Sequence, residues 1–174
     1  MSRVKRIFLT LVIAVPIVLV ISYFTNDKDK DWVSADESTI QTFLQNNVGD
    51  NVQMDRFKRL GDSELFIATY HLNQNESEKL GYSLFEEVEE GEVEYRRTDF
   101  GATSHAFGVI ETDEKIYGIL YGTDDSSWKS ANVTFAQNEK EYTFDHPDES
   151  PYLLIEQLDS SIEDPQEYSI NYQQ

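Results

Sequence analysis

Cysteine is absent from all 174 residues of this chain. Its absence excludes disulfide bonds, the lipidated cysteine of a lipoprotein anchor, thiolate metal ligands and a thiol nucleophile. Positive charge is also scarce: 14 Lys and Arg stand against 33 Asp and Glu, for a net charge of −19. Such a surface repels a phosphate polymer, which excludes nucleic acid as a partner. Only His71, His105 and His146 are present to act as an imidazole base. Neither the G-x-S-x-G of a serine hydrolase nor the D-x-[DN]-x-[DN]-G of a calcium loop occurs. What the chain does contain is 39% hydrophobic and 13% aromatic residues, gathered in short runs. That composition builds a core, unlike the composition of a disordered chain. The length suits one domain with an anchor or tail.

Acidic residues are missing from the first 24 positions as well. Arg3, Lys5 and Arg6 precede an uncharged run from Ile7 to Phe24, whose apolar stretch Leu9 to Ile21 is broken only by Thr10 and Pro16. As a helix rising about 1.5 Å per residue, the run covers roughly 27 Å, enough for the hydrocarbon core of a bilayer. A cleaved signal peptide shares the basic start and apolar run but needs small residues one and three places before the cut. This segment exits through Ser22, Tyr23, Phe24, Thr25 and Asn26, with no A-x-A pattern. The expectation is an uncleaved signal anchor in the cell membrane, with secretion after cleavage as the alternative. Basic flanks stay in the cytoplasm, so residues 25–174, with all 33 acidic and 11 basic residues and a net charge of −22, are expected outside. The expected organisation is a cytoplasmic start and transmembrane helix over 1–24, a polar tether over 25–33, and a β-rich domain with an N-terminal helix over 34–174.

Ser34 and Glu37 have the S-x-x-E spacing of a capping box, followed by Ile40, Phe43, Leu44 and Val48 on one face and a stop at Gly49. The spacing predicts an amphipathic helix over 36–47. Residues 50–62 are ambiguous, because Met54, Phe57 and Leu60 recur every third position around the basic cluster Arg56, Lys58 and Arg59. A solvated face accounts for that cluster; a contact with an anionic membrane surface or with the acidic domain is the alternative.

From Glu64 onward, β-branched and aromatic runs alternate with Gly, Asn, Asp and Pro. They predict strands at 64–72, 81–88, 93–100, 105–112, 115–122, 130–137, 141–145, 152–157 and 168–172. No second long helix is evident. The fold class expected is mainly β, an antiparallel sandwich or open barrel of about 7–9 strands. Gly108, Gly118 and Gly122 within or at the end of strands indicate a bulge or a close backbone approach.

The basic start and single span, the helix, the strand Leu65 to Tyr70 and the runs Gly108-Val-Ile, Ile116-Tyr-Gly-Ile and Ala131-Asn-Val-Thr-Phe resemble small single-pass extracytoplasmic proteins of Bacillota with an uncharacterised β-rich domain. The resemblance implies membrane attachment and a β-rich exterior domain, and carries no activity.

Ser104 and His105 are adjacent, so on a strand they would point to opposite faces and not pair. Paired carboxylates carry no information where 33 acidic residues guarantee chance pairs. Calcium is the one cofactor the loops suggest: Asp124 and Asp125 in one acidic loop, Asp145 and Asp148 in another, offer the oxygen ligands it takes. Tyr117 and Tyr121 share one face of a strand with Ile119. That face is either buried in a central strand or an exposed protein or glycan contact. Trp128, in a loop, would be a contact residue if exposed. The function expected is a membrane-anchored extracytoplasmic binding or interaction module, held to the membrane through residues 7–24, with an envelope protein as possible partner. The alternatives are an accessory or sensing subunit of an envelope complex, which needs a partner inside the membrane, and an envelope hydrolase with an acidic site.

Overall fold

The structure, a computed structural model, describes residues 32–173 except 75–76, 101–103, 124–127, 137–139 and 163. The proposed span at 7–24 lies outside the described residues, among which no helix is long and apolar enough to cross a membrane. The described residues are mainly β and form antiparallel sheets, with eleven strands and one helix among them.

The elements in chain order are β1 (Trp32–Ser34), α1 (Glu37–Asn47), β2 (Val52–Arg59), β3 (Leu65–Gln74), β4 (Ser77–Glu89), β5 (Glu92–Phe100), β6 (His105–Glu111), β7 (Ile116–Gly122), β8 (Ser130–Phe135), β9 (Glu141–Asp145), β10 (Tyr152–Leu158) and β11 (Tyr168–Gln173). A curled five-stranded sheet has the order β1-β5-β4-β3-β2, and two three-stranded sheets have the orders β10-β7-β6 and β11-β8-β9.

All nine strands expected from Glu64 onward form. The two additional ones come from segments that read differently. Trp32 and Val33, placed with the tether, pair with Glu94 and Val93 as β1. The ambiguous stretch 50–62 is largely β2, and a register shift between Met54 and Arg56 explains the three-residue step from Met54 to Phe57, whereas Leu60, just past the strand, packs in the layer on the other side of the sheet. One extra residue, Asp55, lets Met54 and Phe57 pack on the same side, where unbroken alternation would place them on opposite sides. The helix starts one residue later than expected and with a different cap. Ser34 is held in β1, so Asp36 is the N-cap and accepts from the Thr39 N–H at 3.0 Å. The Ser38 and Thr39 hydroxyls, with that N–H, hold the Asp36 carboxyl well below the usual carboxylate range.

The three sheets and the helix are stacked through three apolar layers. Ile40 and Leu44 of α1 pack with Val52, Ala68, Phe85 and Val93 on one side of the five-stranded sheet. The other side of that sheet presents Ile67, Leu80, Tyr82 and Leu84 to Ile110, Tyr117, Ile119 and Tyr121 of the β10-β7-β6 sheet. The remaining side of that middle sheet packs Val109, Leu120 and Leu158 against Ala131, Val133, Phe135 and Phe144 of the third sheet. Strand β7 is therefore covered on both faces, which is why Ile119-Leu-Tyr reads as continuous apolar sequence instead of alternation.

Two features protect this arrangement. The Gln41 side chain of α1 donates to Val52 O at 2.9 Å and accepts from Met54 N–H at 2.7 Å. It occupies the free edge of β2 as a short surrogate strand and removes a template for intermolecular pairing. At the end of β7, a Cβ on Gly122 would lie 2.6 Å from Ser104 O and from the Tyr152 hydroxyl. The β6–β7 ladder runs without a register shift, so close approach is what this glycine serves.

Candidate functional site

The gap between the five-stranded sheet and the middle sheet is filled by side chains over most of its length but opens at one end into a cleft of about 700 Å³. Three turns shape its rim. Gly61, at φ +57°, lets the chain reverse between β2 and β3, and the Ser63 hydroxyl donates to Leu60 O at 2.7 Å to close the turn. In the β6–β7 hairpin the Thr112 hydroxyl accepts the Lys115 N–H at 2.9 Å, fixing the position of Asp113 and Glu114. The turn before β11 adds Gln166, and the apolar floor is Leu65, Leu84, Val109 and Ile110.

Every cation lining the cleft is already engaged by a carboxylate of the protein. Lys115 Nζ lies 2.5 Å from Asp62 Oδ1, joining the two rim turns. Each shifts the other: Lys115 lowers the Asp62 pKa and Asp62 raises that of Lys115. Arg96 bridges Glu86 at 2.6 Å and Glu94 at 3.1 Å, relieving the repulsion of two carboxylates placed opposite each other across β4 and β5. Arg97 pairs with Asp99 at 3.3 Å and reaches the Tyr82 hydroxyl at 3.5 Å. Burial, with Asp99 nearby, pushes the Tyr82 phenol up to about 12. Glu64, Glu111, Asp113 and Glu114 also line the cleft, so its excess charge is negative. An anion meets no open cation here. A partner with hydrogen-bond donors or positive charge does find acceptors.

The residues singled out from the sequence sit elsewhere. Tyr117 and Tyr121, each 2% exposed, are core residues between the first two sheets, and burial raises the Tyr121 pKa strongly. Trp128 is also buried, edge-on to His146 with ring centres 4.3 Å apart and close to Tyr152 and Tyr172. These three aromatic side chains are buried and form no exposed contact surface. Asp124 and Asp125 lie outside the described residues. Asp145 ends β9 and Asp148 lies beyond it, both exposed, and no group of three or more His, Asp and Glu among the described residues is arranged to hold a metal ion.

The histidines have local partners. His71 Nδ1 lies 2.7 Å from the carboxylate of Asp55, the extra residue of the β2 bulge. Ser104 Oγ does approach His105 Nδ1, at 3.2 Å. The expectation that the two would diverge fails because Ser104 lies in a bend before β6, where strand alternation does not apply.

The two arginines of the basic cluster of β2 turn toward the domain's own acids. Arg56 meets Glu149 at 3.2 Å, and Arg59 meets Glu87 at 2.6 Å with its guanidinium 4.4 Å above the Phe66 ring. Comparison of the chain with family models, with curated proteins and with solved structures finds no match.

Proposed function

We propose that this chain is a membrane-anchored extracytoplasmic binding module, and that the cleft between the first two sheets is where it meets its partner. The cleft is the observation that carries the reading. It is a concave opening with an apolar floor and a rim of hydrogen-bonded turns, two of which are joined at the surface by the Lys115–Asp62 ion pair. A preorganised rim lowers the ordering cost of association. Its negative excess suits an envelope protein that offers donors or basic side chains.

The anchor reading rests on Arg3, Lys5 and Arg6 ahead of the apolar run Ile7 to Phe24. We read the fold type as a layered sandwich in preference to an open barrel. In support, the sheets bury facing sides against one another, and no strand pair among the described residues joins one sheet to the next.

The test is site-specific photo-crosslinking of the full-length protein in its own membrane. A photoreactive residue replaces Glu111 or Gln166 on the cleft rim, or Gln45 on the exposed side of α1 as a control. A discrete adduct from both rim positions and none from the control supports the reading. Equal labelling from all three, or none from the rim, refutes the cleft as the contact site.

A further inference from the structure

The third sheet carries a second surface, away from the cleft. Inward burial of Ala131, Val133 and Phe135 turns Ser130, Asn132 and Thr134 of β8 outward. The same alternation turns Ser169, Asn171 and Gln173 of β11 outward, and the register sets these beside Thr134, Asn132 and Ser130. On the other side β9 adds Thr143 opposite Asn132, between Glu141 and Asp145. With strands about 4.8 Å apart and alternate residues about 6.8 Å apart, the face is a grid of roughly 10 by 14 Å.

Its chemistry differs from the rest of this acidic chain. With 33 acidic residues in the sequence, β8 and β11 turn no charge outward, and the two acids of the face stand on the edge strand β9. Asparagine is depleted in strands, yet Asn132 and Asn171 lie side by side. Within the grid, Thr143 Oγ1 donates to Asn132 Oδ1 at 3.1 Å, whereas the side chains of Ser130, Thr134, Ser169, Asn171 and Gln173 make no hydrogen bond to another described residue. Their donors and acceptors point to solvent.

Elimination narrows what such a face recognises. Phosphate polymers need cations, and the face has none. Protein interfaces are anchored by buried aromatics or arginine, also missing here. Phe100, the one large hydrophobic side chain exposed among the described residues, belongs to the first sheet. An uncharged chain dense in hydroxyl and amide groups is the ligand whose chemistry matches. We propose that the outer face of the third sheet binds a neutral glycan chain through hydrogen bonds from β8 and β11. Each hydrogen bond exchanged with water gains little, so a single face binds weakly and many copies on one membrane hold a polymer by avidity.

The experiment displays the full-length protein on liposomes of neutral zwitterionic lipid and measures retention on insoluble chitin and on cellulose, at low and high salt. The expected result is retention on at least one polymer, unchanged by salt, and reduced more than tenfold by Ser169→Glu with Asn171→Glu. Both positions are exposed, so the variant should melt with the wild-type protein; Asn171→Gln should retain binding. Failure of the wild type to bind either polymer overturns the proposal. So does retention abolished by salt or indifferent to the double variant. Self-association of the detergent-solubilised chain that the same double variant abolishes would assign the face to a second copy and overturn it too.

Discussion

If β7 is covered on both faces, adjacent residues along it should be equally intolerant of truncation. Ile119 and Leu120 are both 0% exposed, Ile119 between the first and middle sheets and Leu120 between the middle and third. Cutting either to alanine removes buried methylenes and leaves a cavity, at a cost of about 2–5 kcal/mol. In a domain of this size that lowers the melting temperature by about 5–15 °C. The two residues are adjacent in the chain, so their losses need not add, but each alone is a large share of the stability of an ordinary domain. Strand β9 supplies the contrast. Phe144→Ala, facing inward, should cost about 3 kcal/mol or more, while Thr143→Ala, facing out, should stay within about 1 kcal/mol even with its bond to Asn132 lost. The assay is urea unfolding of the detergent-solubilised chain followed by tryptophan fluorescence, with the slope of the transition checked for constancy. If either Ile119→Ala or Leu120→Ala falls within about 0.5 kcal/mol of wild type, one face of β7 is open to solvent and the stacked arrangement is wrong.

Replacing Gln41 with leucine should cost about 1–3 kcal/mol by leaving Val52 O and Met54 N–H of the β2 edge unpaired, and should raise concentration-dependent association in sedimentation; unchanged stability would mean the amide is not closing that edge. His71→Leu removes the imidazole at 2.7 Å from a carboxylate whose side chain is 5% exposed, a loss of about 1–3 kcal/mol that a denaturation midpoint would show and that Asp55→Asn with His71→Leu should partly restore. Alkali should destabilise the fold: burial raises Tyr82 and Tyr172 from 10.0 to about 12 and raises Tyr121 further. Their contribution is whole below pH 10 and is lost as pH climbs toward 12, because the unfolded chain gives up these protons first; ultraviolet titration should show a group of tyrosinates forming only together with unfolding, and smooth independent ionisation near pH 10 would contradict their burial.

How much of this was legible before the structure depends on the range of the interaction concerned. Strands from Glu64 onward were legible because composition and turn residues are local signals, and their ends agree to within a few residues. The helix was legible from Ile40, Phe43 and Leu44, but not its cap. Ser34 had the right spacing and was taken by a ladder with Glu92, a partner 58 positions away. Strand β2 was hidden by a bulge: the extra residue Asp55 put three residues between the inward positions Met54 and Phe57, Leu60 beyond the strand completed the false period, and no single-strand pattern reveals an insertion whose evidence lies in the partner strand. Strand β1, three residues long, carries too short a pattern to separate from a tether.

The cleft was not legible, and the reason is physical. Its cations, Arg96, Arg97 and Lys115, and its carboxylates come from turns and strands that meet only after three sheets have stacked. In a chain this acidic, each of those residues reads as one more solvated charge. Tyr117 and Tyr121 share a strand face that serves either as core or as contact, and the deciding variable is the number of layers; Trp128, in the loop before β8, is covered by the same stacking. With a single covered face the tyrosines of β7 would stand in solvent; with a sheet on each side they become the filling of the gap that, a few residues further along, runs out and leaves the cleft. The same stacking leaves the third sheet with one covered side, so the neutral grid around Asn132 follows from the layer count that buries Tyr117.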